Sequence, residues 1–82
     1  MHYNRKRRYH HMVQLRIIEI LEEQGHTKYW LYKRMDMLSY RNFNNIISNQ
    51  TSSIRFEILD RLSRILEVPV GDLFKQIEEA EQ

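Results

Sequence analysis

The sequence predicts an all-α fold, a compact five-helix bundle in one domain. Three observations predict it. Apolar residues recur at helical spacing in five separate segments. Strand-type alternation appears nowhere, and two Gly and one Pro in 82 residues leave little room for tight turns. A chain this short makes one domain and buries only a modest fraction of its surface, so it is expected to be marginal alone or helped by self-association.

The first helix is expected from Met12 to Gln24, because Val13, Ile17, Ile20 and Leu21 follow an i, i+4, i+7, i+8 pattern with Ile18 beside them. Gly25 supplies the left-handed residue that commonly ends a helix. Thr27 is a good N-cap for a second helix, Lys28 to Met35, with Trp30, Leu31, Met35 and Tyr32 facing inward and Tyr29 at least half-buried. After the break at Asp36–Leu38, Ser39 caps a third helix, Tyr40 to about Ser48. Ser48 to Ser53 reads as a polar loop. A fourth helix spans about Arg55 to Glu67, with Phe56, Leu59, Leu62, Ile65 and Leu66 in phase. Pro69 is suited to a helix start, so a fifth helix is expected from Val70, with Leu73, Phe74 and Ile77 as its stripe.

Composition removes several function classes. There is no Cys, hence no disulfide, thiolate nucleophile or Cys-based metal site. No apolar run approaches the roughly 18–20 residues of a membrane span, and the N-terminus lacks the apolar core of a secretory signal. The expectation is a soluble cytoplasmic protein. His10 and His11 adjoin, His2 and His26 are isolated, and no acid–base constellation is visible. No metal, cofactor, small-molecule ligand or enzymatic activity is therefore expected.

Charge is unevenly distributed. Residues 1–11 form a basic leader carrying Arg5, Lys6, Arg7 and Arg8 with no acid, and residues 12–82 form the domain. The leader reads as a solubilising run, a DNA arm, part of the first helix or an expression remnant. Residues 26–56 carry Lys28, Lys33, Arg34, Arg41 and Arg55 against Asp36 alone. Clustered positive charge attracts phosphate backbones.

The third helix is the most informative segment. Phe43, Ile46 and Ile47 define its inner face, and Tyr40, Arg41, Asn42, Asn44 and Asn45 leave the rest without a carboxylate. A solvated face normally mixes Glu with Lys, and Asn is a mediocre helix former. Base edges in the major groove offer mixed donors and acceptors; Asn pairs bidentately with adenine and Arg with guanine, each pair worth about 1–3 kcal/mol of discrimination. Two helices joined by a very short link form a helix-turn-helix, whose second member lies in that groove.

Four blocks in order carry a resemblance: "ILEEQG", "TKYWLYKRM", "SYRNFNNIISNQ" and "SIRFEILDRLSRILEVPVGDLF". Together they resemble the lambda-repressor-like (Cro-like, XRE-type) helix-turn-helix family over about residues 13–76. The resemblance implies a five-helix bundle that binds double-stranded DNA, usually as a homodimer, to regulate transcription, with repression the favoured sign. Carried over by position, Tyr40, Arg41, Asn44 and Asn45 would contact bases. Thr27, Lys28, Ser39, Gln50, Thr51 and Ser53 would contact phosphates. The departures are Tyr32 for a usual Ala, which would push the second and third helices apart, a turn "MDML" one residue long of the norm and without its Gly, Asn49 for a frequent Gly, and Pro69 for a Ser or Thr cap. The rival reading is a protein-interaction module on the same bundle, antitoxin-like or anti-repressor-like, without base readout.

Overall fold

A computed structural model describes residues 13–77. The order is β1 (Val13–Leu15), α1 (Ile17–Gln24), α2 (Lys28–Met35), α3 (Tyr40–Ile47), α4 (Phe56–Leu66), a 3-10 turn (Val70–Leu73) and β2 (Phe74–Gln76). Helix dominates, with four α-helices where the sequence predicted five. No helix among the described residues is long and apolar enough to cross a membrane.

The two ends of the domain depart from expectation together. The first helix starts at Ile17, not Met12, because Val13–Leu15 is extended and pairs antiparallel with Phe74–Gln76, Leu15 opposite Phe74 and Val13 opposite Gln76. Val13, expected in the apolar stripe, is 63 % exposed. The fifth helix is reduced to a single turn: Pro69 precedes it with an extended ψ of 150°, the Asp72 N–H donates to the Pro69 carbonyl at 2.9 Å, and Phe74 is already extended. Leu73 is fully buried, whereas Phe74 is half-buried and Ile77 exposed, so the expected stripe dissolves after one turn. Each three-residue strand is too short for its own periodicity to register, and its backbone groups find partners only across the chain. Met12 and the leader, and with it the reading as a DNA arm, lie outside the described residues.

The core is one cluster. It runs from Leu15 through Ile17, Ile20 and Leu21 of α1, Leu31 and Met35 of α2, and Phe43, Ile46 and Ile47 of α3, to α4 and Leu73. α4 contributes Ile58, Leu59, Leu62 and Leu66. Phe56, expected in phase with them, is instead 86 % exposed. Helical side chains lean toward the N-terminus, so a ring on the first residue points back past the start of the helix, away from the core. Ile58, absent from the predicted stripe, is buried in its place.

Long-range polar bonds lock the helix ends. The Gln24 side-chain amide donates to the Leu66 carbonyl at 2.8 Å. Arg61 donates to the Met35 carbonyl at 3.3 Å, satisfying an orphan acceptor at the end of α2. The Arg16 N–H donates to the Leu73 carbonyl at 2.8 Å, joining the start of α1 to the 3-10 turn.

Candidate nucleic-acid interface

α2 and α3 are built from local signals. The Thr27 hydroxyl accepts from the Trp30 N–H at 3.0 Å, and the Ser39 hydroxyl accepts from the Asn42 N–H at 3.1 Å. Each satisfies one of the free donors of a first helical turn, and each hydroxyl keeps its own hydrogen for an outside acceptor. α2 closes on Asp36, left-handed at φ 63°. Four residues, Asp36 to Ser39, then separate α2 from α3.

Tyr32 holds the two helices together. Its ring meets Tyr40 edge-on with centroids 5.0 Å apart and lies 5.3 Å from Phe43. Tyr40 and Phe43, one turn apart on α3, stack at 6.2 Å. The Tyr32 ring is thus an aromatic bridge between α2 and α3, a contact worth about 0.5–1.5 kcal/mol beyond its buried area. Tyr40, a predicted base contact, is half-exposed and spends part of its ring on this bridge.

α3 rests on Phe43, Ile46 and Ile47, all buried. At about 100° per residue, Arg41 and Asn45 lie nearly opposite the centre of that apolar arc. Arg41 is exposed, while Asn44 and Asn45 are half-buried. Arg41 has no carboxylate partner among the described residues, and neither does Lys28, exposed on the first turn of α2. Asn42, on the exposed first turn of α3, belongs with the polar face, beside the residues expected to contact bases. Beyond α3, Gln50, Thr51 and Ser53 are exposed in the loop before α4.

The aromatic residues of α2 have other occupations. His26 stacks on Trp30 with centroids 3.5 Å apart and planes 3° from parallel, and the Arg34 guanidinium carbon sits 4.3 Å from the same ring. Trp30 is half-buried, as expected of a packing residue. Tyr29 is not: it is 63 % exposed, with the Lys33 ammonium 5.6 Å from its ring.

Sequence reasoning missed the second role of Asn49. Its backbone is left-handed, at φ 62°, as its place after α3 suggested. Its side chain also reaches β1, accepting from the Leu15 N–H at 2.8 Å and donating to the Leu15 carbonyl at 3.0 Å. Nothing local signals a bond across 34 positions.

Among known proteins, the family model of the Cro/C1-type HTH DNA-binding domain matches residues 16–79. No curated protein and no solved structure matches the chain. The family match takes in all four α-helices, the α2–α3 pair included, and the chain therefore belongs to the Cro/C1-type helix-turn-helix DNA-binding family.

Proposed function

We propose that the protein is a sequence-specific transcriptional regulator, a repressor, that reads duplex DNA as a homodimer with α3 in the major groove. The observation that carries this reading is the α3 surface opposite Phe43, Ile46 and Ile47. It presents Arg41, Asn44 and Asn45 without a carboxylate. Arg41 and Asn45 read base edges, with Tyr40 and Asn44 flanking them. Lys28, Thr27 and Ser39 hold phosphates at the two helix starts, where free N–H groups and the helix dipole favour an anion. Gln50, Thr51 and Ser53 take the backbone on the far side. Such phosphate contacts set register while base contacts set sequence. A protein with this role works in the compartment that holds the DNA, which supports the cytoplasmic expectation.

Selection of bound sites from a random duplex pool tests the proposal. A dimer places two α3 helices in successive major grooves, so the selected site is a near-palindrome with half-sites about 10 base pairs apart. Arg41→Ala costs about 1–3 kcal/mol at one base pair and relaxes preference there. Lys28→Ala weakens all sequences nearly equally and reduces the salt slope by about one unit. Should Arg41→Ala keep the parental site preference, α3 does not read bases and the protein-interaction reading takes its place.

A further inference from the structure

We infer that Asn49 is a positioning residue for DNA binding, a side-chain clamp that fixes the phosphate-contacting loop after α3 against β1. The inference rests on the DNA-binding reading above and adds a residue to it.

In an antiparallel ladder, one residue exchanges two hydrogen bonds with the residue opposite, and the next residue turns its N–H and C=O the other way. Within β1, Gln14 lies opposite Lys75 of β2, and Leu15 directs its N–H and C=O to the side chain of Asn49. The Asn amide carries one acceptor and one donor group at the spacing of a peptide unit, so it substitutes for a strand partner. Only one orientation of the amide satisfies both bonds, with Oδ1 on the N–H and Nδ2 on the carbonyl.

The backbone of Asn49 is equally committed. Its N–H donates to the Ile46 carbonyl at 3.1 Å, and the Gln50 N–H donates to the Asn45 carbonyl at 2.8 Å. With the left-handed φ at Asn49 this is a Schellman closure of α3. One residue therefore ends the reading helix, holds β1 and opens the loop that carries Gln50, Thr51 and Ser53. That loop faces β1 across a shallow cleft lined by Val13, Leu15, Thr51 and Ser53. Among the described residues the two Asn49 bonds are the only hydrogen bonds between β1 and this side of the molecule. The loop's placement relative to α3 depends on that clamp, and so do the phosphate contacts it makes.

Asn49→Gly separates clamp from backbone, because Gly adopts the left-handed conformation without strain while losing both side-chain bonds. The full chain and the Gly variant are compared on a duplex selected by the parent. The expected result is helical content unchanged, affinity about tenfold lower for all sequences alike, a salt slope shallower by one to two units, an unchanged order of base preference, and faster hydrogen exchange at the Leu15 amide. Equal affinity and salt slope in a folded variant would overturn the inference. If the variant does not fold, the unaltered protein decides: duplex should slow exchange at the Leu15 amide together with the amides of residues 50–53, and protection of the loop without Leu15 would also overturn it. A parent that binds no duplex at all refutes the functional reading instead, which keeps the two failures distinct.

Discussion

Leu62 and Phe56 sit on the same helix and illustrate how differently one apolar side chain can weigh. Leu62 is 1 % exposed at the centre of the cluster, so Leu62→Ala removes buried methyl groups and leaves a cavity, at about 2–5 kcal/mol. Small domains hold roughly 5–15 kcal/mol in all, and the variant is expected to unfold or melt far below the parent. Phe56→Ala removes a larger side chain that packs on little, and its cost is expected within about 0.5 kcal/mol. Urea unfolding of both variants checks the pair; a Phe56→Ala loss as large as that of Leu62→Ala would mean the ring is buried. Ser63 lies between these extremes. Its half-buried hydroxyl donates to the Val68 carbonyl at 2.6 Å, helping to close α4 where Glu67 turns left-handed at φ 58°. Ser63→Ala removes that donor, leaves the Val68 carbonyl without it, and is expected to cost about 1 kcal/mol by the same measurement.

Between elements, the β1–β2 pair and the Lys75–Glu19 ion pair tie the two ends of the described residues to α1. Lys75 of β2 donates to the Glu19 carboxylate of α1. That hydrogen bond, with the charges of Lys75 and Arg16 assisting, holds the Glu19 carboxyl below its ordinary value of 4.5. A carboxyl depressed in the folded state adds stability above the unfolded pKa, and the gain disappears as pH falls through the folded one. Both side chains are partly exposed, so water screens the pair and its worth is about 0.2–1 kcal/mol. Lys75→Met should therefore destabilise at pH 7 and converge with the parent below the folded pKa of Glu19. Unfolding curves at pH 7 and in the acid range test this, and parallel pH profiles would show that the ion pair is idle. The same scale shows what was legible. The span Lys28–Met35 and the caps at Thr27 and Ser39 match expectation, because a cap bonds an N–H three residues away and an apolar stripe needs only its own helix. The missing fifth helix was not legible, because Phe74–Gln76 is held extended by a partner some sixty positions earlier.

For the whole molecule, the salt dependence of duplex binding is the expected signature, with each neutralised phosphate contributing about −0.9 to the slope of log K against log salt. The described chain begins at β1, clamped to the residue that opens the loop after α3. The four cations of the leader precede β1 in the sequence. Deletion of residues 1–9 is expected to flatten the slope, and an unchanged slope would make the leader a bystander.

What the sequence by itself determined is the helical framework around the candidate site: three buried apolar positions on α3, an acid-free opposite face, and two capped helices with a short link. These follow from propensity, periodicity and hydrogen bonds that close within a turn. The tertiary structure alone decided that the ends pair as strands, that Tyr32 bridges to Tyr40 and Phe43, that Phe56 faces solvent, and that Asn49 grips Leu15. Each depends on which distant group arrives beside a side chain or an unpaired peptide, and that arrival is set by burial of the shared core rather than by local sequence.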